Sequence, residues 1–148
     1  MLIIILSVII NTVNMIRIIL TEDNAVVRKG LVELLEDQDD FEIVGTAANG
    51  IEALTLLKDG LKADILLADL NMPGMDGITL TTKICSAQPD ISLLVIILTM
   101  HERSDFVERA LNAGAKGYLL KNGNFDDVFT GIRKVYDGEV YITADLKH

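Results

Sequence analysis

From Ile16 to Tyr136 the chain repeats one pattern five times: a short apolar run, then a longer segment whose apolar residues recur at helical spacing. The runs 16–20, 41–47, 65–69, 93–99 and 117–120 read as strands, and helices are predicted over 25–36, 50–58, 78–87, 104–113 and 125–136. Strand alternating with helix calls for right-handed crossovers and a parallel sheet with helices on both faces. Apart from Arg17 and the polar residues that close the third and fourth, the first, third and fourth runs are continuously apolar, as strands covered on both faces are. Asn24, Asn49 and Asn124 stand where N-caps belong, and Gly60 and Gly138 follow helix ends, where a left-handed residue is favoured. Val26, Leu31, Leu34 and Leu35 are expected to make the apolar face of the first helix, and Val128, Ile132 and Val135 that of the last. No repeat, low-complexity tract or linker divides the chain, so one doubly wound α/β domain is expected.

A chain of 148 residues fits one domain. Half of it is apolar and only two residues are proline, which supplies a core and argues against a disordered chain. The formal net charge of −9 opposes direct binding of nucleic acid, whose phosphates carry the same sign. Cys85 is the only cysteine, so an internal disulfide is excluded, a reducing cytoplasm fits, and a packed position on a helix is its expected role. Residues 1–14 form a separate leader. Residues 1–10 are almost wholly apolar, but Asn11, Thr12 and Asn14 interrupt before Arg17. The run is well short of the ~20 residues that cross a bilayer, and it lacks the basic start and small-residue cleavage site of a signal peptide. No membrane association is expected. Isoleucine and valine dominate the leader, which favours an extended segment that packs on a sheet edge or a second copy. Its plainer reading is a misassigned start, with translation beginning at Met15. The domain is expected over 15–144, with 145–148 as the start of a linker or tail.

The predicted strands end on polar residues. Asp69 closes the run Ile65-Leu66-Leu67-Ala68, and Pro73, Gly74 and Gly77 then force a tight loop. Glu22-Asp23 follow the first strand, Thr99 the fourth and Lys121 the fifth. Open α/β sheets place their chemistry at the C-terminal edge of the strands. Glu22, Asp23 and Asp69 would crowd three carboxylates into one cleft, where like charges resist ionising together. A magnesium ion relieves this, since it prefers oxygen ligands, and the carbonyl of Asn71 is placed to add another. Beside such a metal, Asp69 is a competent nucleophile towards phosphorus and would form an aspartyl phosphate. Phosphoryl transfer asks chiefly for positioning and charge neutralisation. Mg²⁺, the Lys121 ammonium and the Thr99 hydroxyl each suit one equatorial oxygen.

Taken singly these residues are ordinary. The Asp69–Gly74 stretch reads as a turn, Lys121 as a solvated charge, Thr99 as a strand end, and Glu22-Asp23 as acids favouring a helix N-terminus. All of them falling at strand ends in this order is what chance seldom arranges.

With these residues in view, the chain resembles a receiver domain of the two-component response-regulator family. The resemblance rests on Glu22-Asp23, Asp69 with Met72-Pro73-Gly74-Met75-Asp76-Gly77, Thr99, and Lys121 preceded by Gly117-Tyr118-Leu119-Leu120, and runs from Met15 to about Ala144. Ala48-Asn49-Gly50-Ile51-Glu52-Ala53 and Gly138-Glu139-Val140-Tyr141 are similar to the NarL/FixJ-type branch. The resemblance implies a flavodoxin-like (βα)5 sheet of order 2-1-3-4-5. It implies a sensor histidine kinase that donates phosphate to Asp69, and Mg²⁺ held by Glu22, Asp23, Asp69 and the Asn71 carbonyl. On the same basis Thr99 would move towards the phosphoryl group and Tyr118 would turn inward, with a readout on the fourth helix, fifth strand and fifth helix. A phosphorylation-linked homodimer is expected, with DNA reached only through a C-terminal helix-turn-helix domain outside this sequence, which we read as a fragment. The domain is expected to be a phosphoacceptor rather than an enzyme, with Mg²⁺-dependent self-phosphorylation and autodephosphorylation only.

Two positions depart from the plainest family pattern. Glu22 is one methylene longer than aspartate, so that it would draw the metal through a water, and Met100 follows Thr99 where many receivers have a small residue. Three rival readings fit less well. An aspartate-nucleophile phosphatase needs an acid two residues after the nucleophile, where Asn71 stands. A dinucleotide-binding domain needs a glycine-rich first turn, where Thr21-Glu22-Asp23-Asn24 stands. A purely structural interaction module would leave the acids as solvated surface, and Mg²⁺ binding separates it from a receiver.

Overall fold

The computed structural model describes residues 2–3, 15–87, 92–121 and 124–143. Among the described residues from Met15 onward, six strands and five helices alternate: β1 Ile16–Thr21, α1 Ala25–Glu36, β2 Phe41–Ala47, α2 Gly50–Lys58, β3 Ile65–Ala68, α3 Gly77–Ala87, β4 Leu94–Thr99, α4 Ser104–Ala113, β5 Gly117–Leu120, α5 Phe125–Tyr136 and β6 Tyr141–Ile142. They form one sheet of order β2-β1-β3-β4-β5-β6, with every neighbouring pair parallel. The expected order 2-1-3-4-5 is therefore present, and β6 extends it by a strand that the apolar pattern did not mark. A two-residue strand is too short to show alternation; Tyr141 and Ile142 become a strand only because the edge of β5 lies beside them.

Alternate residues of the buried strands feed two cores. On one face Leu31 and Leu35 of α1 and Val128, Phe129, Ile132 and Val135 of α5 pack on Ile18, Leu20, Ile65, Leu67, Ile96, Leu98 and Leu119. On the other, Ala53 of α2, Leu80 and Ile84 of α3, and Val107 and Ala110 of α4 cover Ile19, Leu66, Ala68, Val95, Ile97 and Tyr118. Burying one large apolar side chain contributes ~1.5–3 kcal/mol, so this double-sided burial dominates the stability of the central strands.

The caps hold as expected. Asn24 accepts from Val26 and Val27, Asn49 from Glu52, and Asn124 from Asp126, while Gly60 and Gly138 take φ of 96° and 98°. The apolar face of α1 needs correction. Val26 is 82% and Leu34 44% exposed. Val26 lies roughly 140° around the helix from Leu31, and the helix meets the sheet along Leu31 and Leu35 with Val32 at the margin. In the leader, Leu2 and Ile3 are helical rather than extended, and exposed. β-propensity expresses packing on a pleated surface, and these two residues meet none among the described residues. The expectation for 4–14, like that of a tail at 145–148, lies outside the described residues. Cys85 is half-buried on α3 against the Gly114 carbonyl, and burial pushes its thiol pKa up.

Candidate phosphoryl and metal site

The C-terminal edge of the sheet gathers the polar residues that the strand ends promised. Glu22 and Asp23 leave β1, and Asp69 leaves β3, the neighbouring strand. The Asp69 amide donates to the Thr21 carbonyl at 3.1 Å, extending the ladder by one rung. One carboxylate oxygen from each of Glu22, Asp23 and Asp69 lies within 4.8 Å of the others. Glu22 is buried, Asp69 partly buried and Asp23 exposed.

Lys121, just past β5, reaches into this cluster. Its ammonium donates to Glu22 Oε1 and lies 3.4 Å from Asp69 Oδ2. The other Glu22 oxygen accepts from the Asn24 amide at 3.2 Å, and the Arg28 guanidinium donates to the Glu22 carbonyl at 2.7 Å. The extra methylene of glutamate thus has a visible use, since Glu22 spans from the start of α1 to Lys121. A buried carboxylate without such partners would be strongly destabilising.

The loop after Asp69 is held from both ends. The Asn71 amide donates to Asp69 Oδ1 at 3.4 Å, and the Gly77 amide donates to the Leu70 carbonyl at 2.9 Å. Gly77 lies so close that a β-carbon there would sit 2.4 Å from the Asp69 carbonyl oxygen. Met72 is buried in the core beneath the loop, while the Asn71 side chain turns outward to the His101 ring.

Thr99 is fully buried at the end of β4. Its hydroxyl accepts from the His101 amide at 3.2 Å, and its carbonyl accepts from the Lys121 amide at 2.8 Å. Tyr118 is also fully buried, and its hydroxyl donates to the His101 carbonyl at 3.0 Å. The Tyr118 ring lies inward in this structure. Burial, with a smaller contribution from the Asp105 charge, pushes the Tyr118 hydroxyl up to about 12. Met100 is exposed beside Thr99.

Every residue singled out in the sequence therefore lies at this edge: Glu22, Asp23, Asp69 and Lys121 in one cluster, with Asn71, Thr99 and Tyr118 joined through His101. Sequence reasoning missed His101 and Arg28. His101 had a signal, its place two residues beyond Thr99. Arg28 is legible only once α1 folds back over the Glu22 carbonyl.

The model of the response regulator receiver domain matches residues 18–133. The chain belongs to that family. Among curated relatives, the receiver is 41% identical over 131 residues to oxygen regulatory protein NreC of Staphylococcus aureus strain JH9, covering 88% of this chain and 59% of NreC. The chain thus spans less than two-thirds of the length of that relative. Among solved structures, it superposes with TM-score 0.83 on a LuxR-family two-component response regulator from Aurantimonas sp. SI85-9A1. Identity is 31%, over 89% of this chain and 92% of the other. The isolated receiver domain of RcsB from Salmonella enterica serovar Typhimurium, solved with the phosphomimetic BeF3−, gives TM-score 0.80 at 28% identity, over 90% and 96% of the two chains. RcsB is also known as dimers bound to DNA, with the same score and identity. Among the described residues no helix is long and apolar enough to cross a membrane.

Proposed function

We propose that this receiver accepts a phosphoryl group on Asp69 from a sensor histidine kinase and thereby switches a transcriptional output in the cytoplasm. The observation that carries the reading is the Asp69 carboxylate, inside the acidic cluster and 3.4 Å from the Lys121 ammonium. A carboxylate oxygen of Asp69 attacks phosphorus in line while the phosphorus–nitrogen bond of a phosphohistidine breaks, and the donor imidazole leaves with the electron pair. Lys121 is placed to leave Glu22 for a phosphoryl oxygen. Thr99, whose hydroxyl hydrogen is not used in accepting from His101, has a donor to offer a second.

Three carboxylates with a single ammonium among them leave a net negative cleft, which is the donor set of a hard divalent cation. Glu22, Asp23, Asp69 and the Asn71 carbonyl would hold Mg²⁺, which when bound neutralises charge on the transferring phosphoryl group. Glu22 is already committed to Lys121 and Asn24, in keeping with a looser part in the metal shell than Asp23 or Asp69.

The output is read from relatives. NreC is an oxygen regulatory protein and RcsB a response regulator that binds DNA as dimers. A phosphorylation-linked homodimer acting through a C-terminal helix-turn-helix domain is the corresponding proposal here, since a net charge of −9 suits this chain poorly to DNA itself. The domain acts as a phosphoacceptor, its own chemistry limited to taking the phosphoryl group and losing it to water.

Incubation with acetyl phosphate and Mg²⁺ followed by peptide mass spectrometry tests the reading. Label is expected on Asp69 alone, lost in Asp69→Asn and blocked by EDTA. Label persisting in Asp69→Asn would overturn it.

A further inference from the structure

The turn that carries Glu22 and Asp23 is tied down at its main chain, and one tie comes from the side chain of Arg28. The Glu22 amide donates to the Ala47 carbonyl at 3.0 Å, the last rung that β2 supplies. On the parallel pattern the next rung would come from the Asn49 amide, and there the chain turns into α2 with Asn49 as its N-cap. The Glu22 carbonyl is thus left without a strand partner, on a residue only 2% exposed. Arg28, one turn into α1, supplies the missing donor, its Nη1 lying 2.7 Å from that oxygen.

The Glu22 carbonyl and the Asp23 amide belong to one planar peptide unit. Its orientation sets ψ of Glu22 and φ of Asp23, and so the directions in which both acids leave the backbone. Glu22 is held again through its side chain, by Lys121 and the Asn24 amide. Asp23 is exposed, and among the described residues its carboxylate accepts no hydrogen bond. The main chain alone aims it at Asp69.

We infer that Arg28 is a positioning residue for the metal, holding the peptide between Glu22 and Asp23 so that both acids face Asp69. The inference rests on the metal and phosphoryl reading proposed above. Two effects of Arg28 oppose each other. Its charge, beside the acids, repels a divalent cation, so charge alone makes Arg28 a hindrance to Mg²⁺. Its hydrogen bond organises the ligands, and losing a group that orients a metal ligand typically weakens metal binding about 10–100-fold. At moderate salt the repulsion is screened to about two- to fivefold, so the orienting effect is the larger. The sign of the change on removing Arg28 tells the two apart.

Titration of the full chain with Mg²⁺ alone, followed by amide NMR, measures this without any phosphodonor. Arg28→Met keeps the stem and removes both charge and donor. It is expected to bind Mg²⁺ about tenfold more weakly than wild type, with the Asp23 and Asn24 amides shifted before metal is added. Arg28→Lys, which keeps the charge and restores one donor, should recover part of the affinity. Labelling by acetyl phosphate should be slow in Arg28→Met at low Mg²⁺ and near wild type once Mg²⁺ saturates. Arg28→Gln, uncharged and shorter, repeats the measurement if Arg28→Met does not fold. A merely structural role would lower stability in urea and leave the Mg²⁺ affinity of the folded protein unchanged. Equal or tighter Mg²⁺ binding in a folded, uncharged variant overturns the inference alone. A wild type that neither binds Mg²⁺ nor takes label overturns the metal and phosphoryl reading, and the role of Arg28 with it.

Discussion

Thr21 is the residue whose environment is least matched to its chemistry. It is fully buried at the end of β1, between Ala47 of β2 and Ala68 of β3, and among the described residues its hydroxyl has no hydrogen-bond partner. A buried hydroxyl without a partner costs ~1–3 kcal/mol on protein scales. Thr21→Val removes that cost at nearly constant shape and should raise stability by ~1 kcal/mol, or about 3–5 °C in the thermal midpoint. Calorimetry on the two proteins checks this, and a lower midpoint in the variant would mean the hydroxyl is satisfied in solution. Tyr141 makes a second residue-scale prediction. Its hydroxyl is pushed up to about 12, chiefly by the bond to Asp127 and then by burial. The native state therefore holds this proton more tightly than the unfolded chain does. The resulting stability is complete below the unfolded value near 10 and is lost as pH rises to about 12. Tyr118 adds a similar effect through burial. Urea unfolding followed up the alkaline limb should show this loss, and Tyr141→Phe should flatten it; an unaltered slope would assign the loss to other groups.

At the scale of elements, α3 positions Asp69 from behind. Its first residue, Gly77, touches the Asp69 backbone so closely that only the absence of a side chain lets helix and loop meet. Gly77→Ala must push the Asp69 carbonyl away. It is expected to cost ~1–3 kcal/mol, the range for overpacking, and to slow labelling by acetyl phosphate at least about tenfold, since phosphoryl transfer depends on positioning. Circular dichroism beside the labelling assay shows whether the fold survives; wild-type labelling in a folded variant would sink the claim. Helix α1 gives a contrasting case. Asn24 caps it through its side chain and supports Glu22 through its main-chain amide. Asn24→Ala should therefore lower stability by ~1 kcal/mol while leaving labelling of Asp69 intact.

The whole molecule is braced along a second route, far from Asp69. Arg133 of α5 donates to Asp40 and Gln38 and stacks over Phe41 at 4.8 Å, joining the last helix to the start of β2. The Arg133 guanidinium holds the Asp40 carboxyl below its ordinary value, but both groups are about 40% exposed, so solvent screening keeps this contribution small. The leader adds a prediction at this scale. Its run of isoleucines and valines has apolar area that favours association once it meets a partner. Light scattering should give a larger mass for the full chain than for one beginning at Met15, with equal phosphorylation of both. Equal masses would show the leader to be inert.

Much of this protein could be read from residue order. Five apolar runs and five amphipathic segments specify an alternating α/β domain, because burial with period 2 or 3.6 is a local property of the chain. The caps Asn24, Asn49 and Asn124 follow likewise from contacts a few residues long. The acids, Thr99 and Lys121 were legible as a site because parallel topology carries every strand end to one edge, whatever the details of packing. Tertiary structure alone decided the rest. Val26 and Leu34 have the chemistry of core residues, and only the angle at which α1 meets the sheet leaves them exposed. Glu22 reads as one acid of a pair, and only the fold brings Lys121 to it from nearly a hundred residues away. Strand β6 exists because β5 leaves an edge open and Tyr141 finds Asp127 and Gly131 on α5. In each case the deciding partner is distant in the chain, and a pattern of near neighbours carries no record of it.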